Sequence, residues 1–166
     1  MAGFSDWHPI DSFVCPQAID ATSTTKELPL GTVVRANHDD YGYGEFIYLQ
    51  GVASTAQGDC VTFDEAGLTA RSVADAKGRV GVAMSANIAN QYGFYCIYGQ
   101  VPCEVKPSFA DNGVLYLTST AGHLDDQDAA GDLVAGAIGR AAIDTPNTGQ
   151  AWVELNHPFV NDSADD

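Results

Sequence analysis

The sequence predicts an all-β fold, a sandwich or a barrel of short strands, on three observations. Apolar residues alternate over short runs, most clearly at Glu45–Leu49, Gly78–Met84 and Tyr92–Tyr98. Glycine is abundant, with 17 in 166 residues, and pairs such as Gly58-Asp59 and Pro146-Asn147 place turn signals between those runs. No stretch sustains the spacing of an amphipathic helix.

The chain opens differently from the rest. Phe4, Trp7, Ile10, Phe13 and Val14 stand among Pro9, Pro16 and several aspartates without a sustained period. Residues 1–29 therefore read as an extended N-terminal arm, which wraps over its own domain, docks on a neighbouring subunit or stays disordered. The β domain follows over residues 30–160. Leu30–Ala36 is its first strand, and Asn37–Asp40 is a polar loop. In Tyr41–Thr55, Gly42 and Gly44 are expected to break the chain before a strand that Gly51 ends. That strand is apolar on both faces, with Phe46 and Tyr48 on one and Ile47 and Leu49 on the other.

Cys60–Asp64 alternates after the turn Gln57-Gly58-Asp59, and Glu65-Ala66-Gly67 signals a hairpin. Arg71–Lys77 reads as loop. Val80, Val82 and Met84 then alternate with Gly81 and Ala83, leaving one strand face nearly bare. Ser85–Gln91 is a loop or a single helical turn. Tyr92–Val105 is the most apolar segment, and Pro102 confines its second half to an edge or a bulge. Asn112-Gly113 turns into a strand at Val114–Thr118, and Ala121-Gly122 turns again. Beyond an acidic loop lie Leu133–Ile143, the turn Thr145–Gly149 and the last strand, Ala151–Leu155. Residues 161–166 form an acidic, frayed tail. Gly58-Asp59-Cys60-Val61 is echoed by Gly131-Asp132-Leu133-Val134, too short a match to establish duplication.

Charge narrows the function. A formal net charge of −15 comes from 22 acidic against seven scattered basic residues. Phosphate binding needs clustered cations, so neither nucleic acid nor an anionic membrane is an expected partner. No apolar run approaches a membrane span, and no basic, apolar leader opens the chain, so a protein made in a cytoplasm is expected. Cys15, Cys60, Cys96 and Cys103 lack C-x-x-C spacing and read as reduced structural thiols.

No reactive constellation stands out. The loop His123–Asp132 has calcium-like aspartates, but Ala130 and Ala137 stand at two ligand positions, so no ion is expected at Asp125–Asp132. The four histidines never adopt zinc spacing, and neither a nucleophile elbow nor a phosphate loop occurs. A Cys–His pair meeting in space is the one enzymatic reading left open. Trp7, Tyr43, Tyr95 and Trp152 are the aromatics that could stack on sugars. With no catalytic, cofactor or metal residues to name, the chain reads as a binding or structural protein.

Several stretches carry a resemblance. They are Leu30–Ala36 (Leu-Gly-Thr-Val-Val-Arg-Ala), Tyr41–Thr55, Gly58-Asp59-x-Val61, Val80–Asn87, Gln91-Tyr92-Gly93 and Ala142-Ile143-Asp144-Thr145-Pro146. As an ordered series over roughly residues 30–160, they resemble the capsid decoration (cement) proteins of tailed bacteriophages. The resemblance implies a non-enzymatic virion protein without a cofactor, a homotrimer built on a small β-barrel or β-tulip domain. It would be made in the host bacterial cytoplasm and seated on the outer capsid surface, bridging capsomers of the major capsid protein.

The arm is not matched. Its Phe4, Trp7, Ile10 and Phe13 are the expected contact with the capsid or a neighbouring subunit. The bare face at Gly81 and Ala83, with Tyr92–Val105, is the expected trimer surface. The alternative is a β-sandwich module that binds host carbohydrate or another host surface.

Overall fold

The computed structural model describes residues 1–111 and 113–162, so the expected turn at Asn112 and residues 163–166 of the expected tail lie outside them. Among the described residues there are eleven strands and no α-helix. They are β1 (His8–Pro9), β2 (Val33–His38), β3 (Gly42–Gln50), β4 (Cys60–Phe63), β5 (Thr69–Arg71) and β6 (Gly78–Ala83). Then come β7 (Tyr92–Glu104), β8 (Val114–Leu117), β9 (Leu124–Asp125), β10 (Leu133–Gly139) and β11 (Gln150–Val160). The fold is all-β, as the alternation predicts.

These strands form one antiparallel sheet in the order β1-β2-β3-β7-β6-β11-β10-β8-β9, with β4 and β5 branching from β6. The sheet does not close into a barrel, because its terminal strands β1 and β9 do not pair with each other. Closure needs a ladder between the first and last strands. Here the outer edge of β2 is occupied by β1, and β9 is two residues long.

The centre is β7, thirteen residues long. Its first half lies between β3 and β6, and its second half pairs with β11 through Trp152 opposite Pro102. Proline therefore sits where β7 has a single strand beside it, the tolerated position. Both faces are apolar here. Phe46, Tyr48, Phe94, Cys96, Val80 and Val82 enter the larger core. Ile47, Leu49, Val61, Phe63, Tyr95 and Ile97 form a second, smaller core on the opposite face. Each fully buried aromatic or leucine contributes about 1.5–3 kcal/mol.

Ala83 belongs to this second core, and a Cβ at Gly81 would lie 3.3 Å from the Cβ of Tyr95. The strand face expected to be open to a partner is therefore covered within the chain. Gly44 also differs from expectation. It lies inside β3, where a Cβ would sit 2.9 Å from the Trp7 ring, so it makes room for the arm rather than a turn.

The first 29 residues run over their own domain, one of the readings of the arm. His8 and Pro9 pair with Asn37 and Ala36, and the Ile10 amide donates to the Arg35 carbonyl at 2.9 Å. Phe4, Trp7 and Ile19 are buried in the larger core. Ser23 and Tyr92 exchange backbone hydrogen bonds of 3.0 and 2.8 Å. The Tyr48 hydroxyl donates to Gln17 Oε1 at 2.8 Å and accepts the Glu27 amide at 3.2 Å.

The short sequence echo has a structural meaning. Asp59 donates its amide to Ala56 and Asp132 donates to Ala129, at 3.1 and 3.0 Å, with Gly58 and Gly131 at φ +96° and +83°. Each is a four-residue turn with glycine at the third position, a geometry that favours glycine, and each launches a strand. The aspartate side chains then hold distant loops. Asp59 is fully buried and accepts from the Ala56 amide and from Arg71 Nε at 2.8 and 2.7 Å. Asp132 accepts from the Asp75 amide at 2.7 Å. The echo is thus a repeated strand-entry device.

β5 completes the hairpin expected at Glu65-Ala66-Gly67, while two strands of two residues each, β1 and β9, lie outside the expected pattern. At that length no alternation can register. Ser85–Gln91 forms a loop, and β11 runs five residues past its expected end at Leu155.

Candidate functional site

The thiols are held within the fold. Cys60, Cys96 and Cys103 are fully buried. Burial pushes the Cys60 thiol up to about 12 and raises Cys96 and Cys103 as well, which disfavours the nucleophilic thiolate. Cys15, half-buried, donates to the Gln17 carbonyl at 3.1 Å. The histidines have separate surroundings. His123 faces Glu104 at 3.7 Å, His157 faces Glu45 at 3.7 Å, and His38 accepts the Asp40 amide at 3.0 Å. His8 stands on β1.

In the acidic loop, Asp126 accepts the Ala110 amide at 3.0 Å and Asp132 the Asp75 amide. Burial, ahead of the neighbouring Asp126 carboxyl, raises the Asp125 carboxyl above its ordinary value. Among the described residues, no group of three His, Cys, Asp or Glu side chains is placed to hold a metal ion.

The four expected contact residues divide. Phe4 and Trp7 are inside the core, the Trp7 ring 4.8 Å from Phe46 and its Nε1 donating to the Gly3 carbonyl at 3.1 Å. Ile10 and Phe13 are exposed, and so is Val14, at 93% of its surface. These three sit on a loop pinned at both ends. Trp7 and the Ile10 backbone bond hold it on one side, and Gln17 and Ile19 hold it on the other. Asp11, within the loop, accepts from the Arg35 amide at 2.7 Å and from Arg35 Nε at 2.9 Å. The result is an apolar tip on a fixed base. Val14 was missed as a contact because an aperiodic segment does not reveal which side chains face outward.

Two surface depressions bear on function. A groove of about 240 Å³ lies over the second core, its floor of Val33, Ile47, Phe63, Ile97 and Pro158 flanked by Glu45 and His157. The Arg79 guanidinium stacks over Phe63 at its rim, 4.6 Å from the ring centroid. A separate cleft lies between β3, β7 and β11, walled by Tyr41, Tyr43 and Tyr98. Of the aromatics considered for sugar stacking, Trp7, Tyr95 and Trp152 are buried, and Tyr43 is exposed.

Compared with known proteins, the chain matches no protein-family model, no curated protein sequence and no solved structure.

Proposed function

We propose that this chain is a structural, non-enzymatic capsid decoration protein, placed on the outside of a tailed-phage capsid where it bridges units of the major capsid protein. The observation that carries the reading is the pinned loop presenting Ile10, Phe13 and Val14. Three exposed apolar side chains on a fixed base suit a contact surface, because ordering them on binding costs little extra. The sequence resemblance over residues 30–160 points the same way, with the open sheet taking the place of the β-tulip domain. An acidic exterior protein, with net charge −15, faces away from packaged DNA and stays soluble before it is added to a shell.

Assembly as a homotrimer belongs to the same proposal. With Gly81 and Ala83 covered internally, the groove at Val33, Phe63 and Pro158 is the surface proposed to meet a second protomer. Three loop tips per trimer would raise attachment through effective concentration even if each tip binds weakly. The test is co-sedimentation with undecorated shells of the major capsid protein from the same virus, beside native mass spectrometry of the free protein. Binding of a trimer supports the reading. A monomer at micromolar concentration, or a protein left wholly in the supernatant, overturns it.

A further inference from the structure

The cleft between β3, β7 and β11 has a different character from the groove and from the loop tip. Its volume is about 380 Å³, within the usual range of roughly 300–1,000 Å³ for small-molecule sites. The walls are aromatic. The Tyr43 and Tyr98 rings stand 5.8 Å apart at 63°, making an L-shaped corner, and Tyr41 closes the third side. Leu155, buried, and Gly99 form part of the lining between them. The polar side chains beside the tyrosine hydroxyls are two amides, Gln100 and Asn156, and one carboxylate, Glu154.

Two of the three aromatic walls, Tyr41 and Tyr98, are held by neighbouring rings of the chain. Tyr41 packs against Trp152 at 4.5 Å and against His38 at 4.3 Å. The Tyr98 ring lies 5.7 Å from His157, and the Glu154 carboxylate is held by Arg140 Nε at 2.9 Å. In contrast, the three tyrosine hydroxyls and the Gln100 and Asn156 side-chain amides make no hydrogen bond within the chain among the described residues. Rigid aromatic faces with unpaired hydroxyl and amide groups around them lower the ordering cost of binding and leave donors and acceptors for a ligand.

We propose that this cleft is a binding site for a neutral saccharide. A pyranose has an apolar C–H face and an equatorial girdle of hydroxyls. One Tyr face of the corner can take the C–H face. The girdle then meets the second ring's hydroxyl, the two amides and Glu154, whose carboxylate accepts from adjacent sugar hydroxyls. Charge sets the class further. Glu154 lines the cleft, the neighbouring Arg140 is engaged by it, and the whole chain is at −15, so sialylated, sulfated or uronic sugars are disfavoured.

This inference stands apart from the capsid reading, since the loop tip and the cleft share no residue. The test is saturation-transfer NMR on the full chain at millimolar sugar. The panel is neutral oligosaccharides of glucose, galactose, mannose and N-acetylglucosamine, with 3′-sialyllactose as the anionic comparison. At least one neutral sugar should receive saturation, and sialyllactose should not. Affinity should fall about tenfold or more in Tyr43→Ala and in Tyr98→Ala, and stay unchanged in Phe13→Ser. Tyr43 is exposed, so its variant should keep the wild-type melting temperature and decides the matter if Tyr98→Ala unfolds. The proposal fails if no neutral sugar binds, if sialyllactose binds equally well, or if folded Tyr43→Ala binds like the wild type.

Discussion

Phe4–Trp7 and Ile10–Val14 are neighbouring parts of one aperiodic segment, alike in composition and opposite in fate. The first is inside the larger core, and the second is held out in solvent. Nothing in their own spacing separates them. What separates them is the surface each meets. Gly44, within β3, leaves the space that the Trp7 ring occupies, and the β1–β2 pairing then turns the chain outward at Ile10. In a segment without periodicity, burial is decided by the partner surface rather than by the segment itself.

The strongest way to break this comparison is to truncate the buried half. Phe4→Ala and Trp7→Ala should each cost about 3–5 kcal/mol, the range for large aromatic deletions in a core. Phe46→Ala in β3 should fall in the same range, because Phe4 and Phe46 are both essentially inaccessible. Urea unfolding should show one transition in all three variants. A separate early transition for residues 1–29, or a loss below about 1 kcal/mol at Phe4, would mean that the segment is only draped on the domain.

Legibility follows the same division. In β3 the alternation of Phe46 and Tyr48 with Ile47 and Leu49 announces a strand buried on both faces, and the two cores divide the four residues as that alternation requires. β4, β6, β7, β8 and β10 begin at or beside the residues where the pattern places them. The open sheet was not legible, because closure depends on which strand ends meet, and two-residue strands leave no periodic trace. The cleft was half legible. Of its three tyrosines, only Tyr43 stands among the aromatics that the sequence offers for sugar stacking. Only the register that sets Glu45 opposite Tyr98 brings Tyr43 and Tyr98 together.

A smaller effect is expected where the buried segment is laced to β3. Tyr48→Phe leaves the ring and removes the hydroxyl that joins Gln17 Oε1 to the Glu27 amide. The loss should be about 1–3 kcal/mol, the cost of leaving a buried partner unsatisfied, read as a shift in the urea midpoint at constant slope. Hydrogen exchange at Glu27 should quicken relative to Arg35, whose amide is held by Asp11 instead. Equal change at both amides would show that the two attachments are not independent.

Asp11 allows a finer cut, at the base of the exposed loop. The Arg35 amide, ahead of the Arg35 guanidinium, holds the Asp11 carboxyl below its ordinary 3.8. A carboxylate lowered in the folded state contributes stability above that ordinary value and loses it as pH falls through the lower folded value. Asp11→Asn should therefore melt below the wild type at neutral pH, and the gap should close on acidification below 3.8. A gap that persists unchanged in acid would assign the effect to loop geometry rather than charge.

The smallest effect on stability, and the largest on attachment, is expected at the loop tip. Ile10, Phe13 and Val14 are exposed, so serine at any of them removes little buried surface. Stability should stay within about 0.5 kcal/mol of the wild type, as for surface positions generally. If the tip is the capsid contact, Phe13→Ser and Val14→Ser should reduce co-sedimentation with shells, and the triple variant should abolish it while the trimer remains intact. Phe4→Ala provides the contrast, since it should lower the melting temperature yet bind shells while folded. Should the tip variants bind as well as the wild type, the exposed half of the segment has no part in attachment, and the groove over the second core becomes the surface to alter next.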